Sequence, residues 1–129
     1  MLRIIIVFVF LSSCKPADPS DPNYILHTEI MVVHDEVMPE MSTIHRIKKK
    51  LKNLDTTGEE IDQLVTNLDD ADEAMMSWMA DYDRPDGSDS LSLAYLRMEK
   101  EKISDVSRKM KSAIREGNEF LQNHEAKKD

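Results

Sequence analysis

The chain holds a single cysteine, Cys14, so no intramolecular disulfide can form and the fold must rest on core packing. Glycine occurs only three times. A glycine-rich phosphate loop is absent, which sets aside phosphate, nucleotide and flavin binding of that kind. Aromatic residues are few, and alternating strand-type runs are missing. No apolar run approaches the ~20 residues that a membrane-spanning helix needs. Positive charge is outweighed: 17 Lys and Arg stand against 25 Asp and Glu, a formal net charge of -8. Such a surface argues against nucleic acid as a partner and against lying flat on anionic lipid. Catalytic signatures are also missing. There is no HExxH, no serine in a nucleophile turn with His and Asp partners, and no second cysteine. The expectation is a protein that is not an enzyme.

What is present begins at the N-terminus. Arg3 supplies positive charge, and residues 4–11 (IIIVFVFL) form an unbroken apolar run. Its length suits the core of a signal peptide, about 7–15 residues. Leu11, Ser12, Ser13 and Cys14 follow, and this order resembles the lipobox of bacterial lipoproteins. Small residues admit the peptidase, and the Cys14 thiol is the nucleophile that takes up diacylglycerol. The resemblance implies lipidation at Cys14, with acyl chains such as palmitate, and anchoring to a membrane of the bacterial cell envelope. Each buried methylene adds about 0.8 kcal/mol of membrane affinity. Lys15 stands where aspartate would favour the inner membrane, so the expectation is the outer membrane, on either face. Residues 1–13 then form the signal peptide, and residues 14–23 the lipidated cysteine and a flexible tether, rich in proline, aspartate and serine.

Residues 24–126 form the expected helical bundle domain, long enough for one domain and too short for two. In residues 24–54, Ile30, Val33, Val37, Met41, Ile44, Ile47, Leu51 and Leu54 recur at helical spacing. Pro39 interrupts them, so the segment is a kinked helix or two short helices meeting there. Lys48, Lys49, Lys50 and Lys52 suit a helix C-terminus and read as a solvated face. Thr57 and Glu60 have capping-box spacing. A second helix starts there, with Ile61, Leu64, Leu68, Ala71, Met75, Trp78 and Tyr82 stepping by three and four. The turn residues of 83–87 end it. A third helix begins near Ser90, with Leu96, Ile103, Val106, Met110, Ala113, Gly117 and Phe120 on its seam and a polar tail, residues 124–129, expected to fray. Short connections predict an all-α, up-down-up, antiparallel three-helix bundle. A long helical hairpin completed by a second copy, as a homodimer, is the alternative.

One constellation carries chemistry. His27, Met31, His34, Met38, Met41 and His45 follow steps of four and three, which places them on one face of the first helix. Met75, Met76 and Met79 surround Trp78 on the second helix. Thioethers with imidazole select a soft ion, Cu(I) or Ag(I). The candidate ligands are His34, Met38, Met41, Met75 and Met79. Methionine also fills irregular gaps in helical cores with no metal involved, and that is the commoner use. The acidic loop at 81–89 fails as an EF-hand: counting from Asp81, position 5 is Pro85, position 6 is Asp86 and position 12 is Ser92.

The stretch His34, Asp35, Glu36, Val37, Met38, Pro39, Glu40 and Met41, the Lys-rich helix after it, and the later Ala74, Met75, Met76, Ser77, Trp78 and Met79 resemble a family of short lipoproteins. They come from Bacteroidota-type bacteria and are sometimes labelled "viral A-type inclusion protein". The resemblance covers residues 14–125 and implies lipidation and helices without an activity. Together these readings predict a membrane-anchored binding module with a protein partner. Soft-metal binding in the envelope is the alternative.

Overall fold

A computed structural model describes residues 18–87 and 89–127. The expected signal peptide, Cys14 and the first part of the tether lie outside these residues. The described residues are all-helical and contain no strand: α1 (Pro22–Val37), α2 (Glu40–Lys52), α3 (Glu59–Asp81) and α4 (Ser90–Ala126). None of these helices is long and apolar enough to cross a membrane.

α1 begins inside the stretch expected to be tether. Asp21 is its N-cap, accepting the Asn23 N–H at 3.0 Å, and Pro22 occupies the first turn, where its missing N–H is not needed. α1 and α2 are two segments of one rod. Met38 and Pro39 keep right-handed helical dihedrals between them, at φ -56°, ψ -41° and φ -62°, ψ -24°. The chain tightens there: Met41 N–H bonds the Met38 carbonyl at 3.2 Å and Ser42 N–H bonds that of Pro39 at 3.3 Å. These i to i+3 bonds close the turn around the donor that proline lacks.

Three rods thus pack together. α4, with 37 residues, extends about 55 Å at 1.5 Å per residue and touches each of the other helices. α2 also packs on α3. The seams expected from spacing form the core. Ile30, Val37, Ile44, Ile47 and Leu51 meet Ile61, Leu68, Ala71, Met75 and Trp78, with Leu96, Ile103, Val106, Met110, Ala113 and Leu121 from α4. Val33, Met41, Leu54, Leu64, Tyr82 and Phe120 pack half-buried at its edge.

Two of the helix ends differ from the expectation, for simple causes. α3 is capped by Gly58 with no side-chain hydrogen bond, so the Thr57 capping box does not form. The helix starts one residue later than that box requires, which leaves Thr57 outside it. α4 is capped by Asp89, which accepts the Ser92 N–H at 2.8 Å. At its far end α4 continues through His124 to Ala126, where Phe120 and His124 stack at 6.2 Å. That contact holds a turn whose sequence alone reads as a frayed tail.

Candidate functional site

α1 and α3 meet through side chains, and the meeting is aromatic. Tyr82 lies 4.9 Å from Trp78, ring centre to ring centre, and 6.4 Å from Tyr95. From α1, His27 stacks on Tyr82 at 6.0 Å and His34 tilts over Trp78 at 5.7 Å. His27 and His34 are seven residues apart, so both project from one side of α1. Trp78 lies in the last turn of α3, and Tyr82, four positions on, is its C-cap, its N–H bonded to the Trp78 carbonyl. Each imidazole packs on one of the two rings, His27 on Tyr82 and His34 on Trp78.

Below this layer sits Glu99, a charged residue only 3% exposed. One carboxylate oxygen accepts the Trp78 indole N–H at 3.0 Å, and the other accepts from the Lys102 ammonium at 2.8 Å. Glu99 thereby fixes the rotation of the indole. Its hydrogen bond raises the pKa of Lys102 from the ordinary lysine value. Burial, aided by Tyr95 and Glu99, raises that of the Tyr82 hydroxyl. Tyr82 therefore keeps its proton at neutral pH. His27 Nδ1 lies 2.6 Å from that hydroxyl, and neutral His27 with its own proton on Nε2 accepts the phenolic proton.

Burial and then the nearby Arg84 charge lower the His27 pKa below 6.5. The consequence for stability has a definite sign. The unfolded chain takes up a proton near pH 6.5 that the folded chain resists, so this contribution is complete above pH 6.5. It is lost as pH falls below 6.5 and through the folded value. Urea unfolding between pH 7.5 and 5 should show this loss, and His27→Phe should flatten it.

The sequence-predicted ligands separate into three environments. Met75 is fully buried in the core. Met38, Met41 and Met79 are partly buried and pack against the core that runs the length of the bundle. His34 reaches the Trp78 ring, and its Nδ1 lies 2.9 Å from Asp35 Oδ1. His45, on the far side of Pro39, is instead exposed beside Asp72 at 3.4 Å. The His/Met face is thus divided: its α1 half covers the aromatic layer, while its α2 end turns to the surface. Among the described residues no three His, Cys, Asp or Glu side chains gather as a metal-binding group.

Glu99 does not emerge from helical spacing alone. A signal for it existed: the α4 seam steps from Leu96 directly to Ile103, and Glu99 fills the skipped position. Comparison with family models, curated proteins and solved structures gives no match.

Proposed function

We propose that the chain is a lipoprotein of the bacterial cell envelope, anchored through Cys14 in the outer membrane. Its up-down-up bundle acts by binding a protein partner and not by catalysis. The observation that carries this reading is the order of charge, apolar run, small residues and Cys14 at the N-terminus. The resemblance to short lipoproteins points the same way.

The fold supplies a physical complement. α1 starts at Pro22, eight positions after Cys14. A tether of that length reaches at most about 25 Å, and the turn closed by the Asp21 N–H on the Asp18 carbonyl shortens it. The bundle then stands close to the bilayer, with the start of α1 and the 82–89 connection at its lower end. The pairs His27 with Tyr82, His34 with Trp78, and Lys48 with Asp69 fit an antiparallel α1–α2 and α3. Trp78 with Glu99 and Asn67 with Glu116 fit an antiparallel α3 and α4. Ile25, Val32, Met76, Leu91 and Met98 are large apolar side chains left exposed, which gives a partner apolar ground to bury. A Cys14→Ala chain should leave the membrane fraction for the soluble one. Retention of that variant on membranes washed with high salt would sink the anchor.

The second reading is a Cu(I) or Ag(I) site using His34, Met38, Met41, Met75 and Met79. Its support is the His34 imidazole over Trp78 and the soft-ligand character of the methionines that share its helix spacing. Trp78 is the only tryptophan, so its fluorescence reports directly on this region. A protein-binding module should give a flat Cu(I) titration under reducing conditions. Saturable quenching at one equivalent, abolished in His34→Ala/Met38→Ala, would replace the first reading with metal handling.

A further inference from the structure

Among the described residues, Tyr82 carries the one phenol that meets an imidazole. Its oxygen lies 2.6 Å from His27 Nδ1, within the reach of about 2.6–3.2 Å at which a base takes a proton. Both side chains are half-buried. A hydroxyl withdrawn from water needs an acceptor of some kind, and a backbone carbonyl would serve. An imidazole does more, because it can take the proton and hold it. Tyr95 differs, since its hydroxyl oxygen accepts the Asp83 N–H at 3.0 Å.

Two further rings extend from that pair. Tyr82 stacks on Trp78 at 4.9 Å, and Tyr95 stands 6.4 Å away at an angle of 16°. Separations of about 4.5–7 Å are those of aromatic rings in contact, so an electron crosses between them without a carrier. Glu99, buried and hydrogen-bonded to the indole N–H, sets a negative charge beneath the stack. In a poorly polarisable interior that charge favours loss of an electron from the rings, and Lys102 offsets part of it from the surface. At rest, burial keeps the proton on Tyr82 and off His27. A phenol that has lost an electron is a strong acid, which reverses this preference. The Arg84 charge disfavours protonated His27, so the proton returns once the ring is reduced.

We propose that Tyr82 and His27 form a one-electron redox site that quenches organic peroxyl radicals, with Trp78 and Tyr95 passing it the electron deficit. A peroxyl radical takes one electron from the ring array and becomes a peroxide anion, which water protonates. The deficit settles on Tyr82 as its O–H bond breaks and the proton moves to His27 Nδ1. A neutral phenoxyl radical then stands beside an imidazolium. A soluble reductant of the enediol or thiol class returns one electron, and His27 returns the proton to the phenolic oxygen. This chemistry requires neither the anchor nor a bound metal.

The test is flash oxidation of the full-length chain in detergent by photogenerated tris(bipyridine)ruthenium(III), read by the phenoxyl absorption band and by EPR of frozen samples. Tyr82→Phe should lose the phenoxyl signal, and Tyr95→Phe should keep it. His27→Phe, which keeps a ring against Tyr82, should slow the oxidation about 10²-fold. The parent should also react more slowly in D2O, because a proton moves with the electron. That comparison decides the matter if His27→Phe does not fold. Peroxyl radicals from a water-soluble azo initiator should produce the same Tyr82 signal. A signal that survives Tyr82→Phe, or equal rates in the parent and His27→Phe, would overturn the site, as would equal rates in H2O and D2O. A Tyr82 signal from ruthenium(III) with none from peroxyl radicals would overturn the assigned oxidant.

Discussion

Gly117→Ala should destabilise the bundle, although alanine is the better helix former. In the interior of a helix that exchange ordinarily stabilises by about 1 kcal/mol. Here α4 lies so close to α2 that a Cβ at residue 117 would come 2.6 Å from Ile47 Cγ2, with Leu68 Cδ1 at 3.7 Å and Leu51 Cδ1 at 3.9 Å. The obstructing methyl is the branch of a β-branched residue, whose χ1 is stiff, and it sits in a fully packed layer. Relieving that approach means moving a side chain off its rotamer or separating two helices, at about 1–3 kcal/mol net. The midpoint of thermal unfolding should fall accordingly. The cause is checked by partners. Ile47→Leu removes the β-branch and should recover part of the loss, whereas Ile47→Val keeps Cγ2 and should recover none. A Gly117→Ala chain that melts higher than the parent would show that the two helices do not approach this closely.

Glu99→Ala should have an effect of similar size for a different reason. Truncation leaves the Trp78 indole N–H buried without an acceptor and opens a gap beneath the aromatic layer. An unpaired buried donor together with lost packing amounts to about 2–3 kcal/mol. Lys102 adds little, since its ammonium is solvent-exposed and rejoins water. Glu99→Gln retains an oxygen for the indole and should be far milder. Trp78 emission supplies a second readout. In Glu99→Ala its maximum should shift as the ring loses its fixed rotation, and in Glu99→Gln it should hold. Equal stability of the alanine and glutamine variants would mean that the Glu99–Trp78 bond contributes nothing.

These two positions show what spacing does and does not reveal. Ile30, Val37, Ile44, Leu68, Met75, Ile103 and Met110 lie on regular three- and four-residue steps, and each is fully buried as the steps require. Gly117 also sits on its seam, but the reason for glycine there is a neighbour on α2, seventy positions away. Glu99 interrupts the apolar pattern and looks solvated in one dimension; only the indole from α3 justifies its burial. Pro39 was legible as a break, yet the direction taken by His45 after it was not. A small change of phase at a tight turn decides whether that imidazole reaches the aromatic layer or the surface. Asn23 shows the same limit. Its proline-rich neighbours read as tether, whereas the bond to Gly87 draws it into the fold. Helical periodicity records the face each residue occupies on its own helix, and single polar contacts between helices leave almost no trace in it.

The proposed anchor constrains the rest of the account, because it fixes the compartment, the orientation and the nature of any partner. The most direct measurement is intact mass and N-terminal analysis of the mature protein extracted from membranes of a bacterial host. A lipid-anchored chain should begin at Cys14 and carry a diacylglyceryl-type mass increment on that residue. A chain that still begins at Met1, or is cleaved elsewhere with an unmodified Cys14, would contradict it.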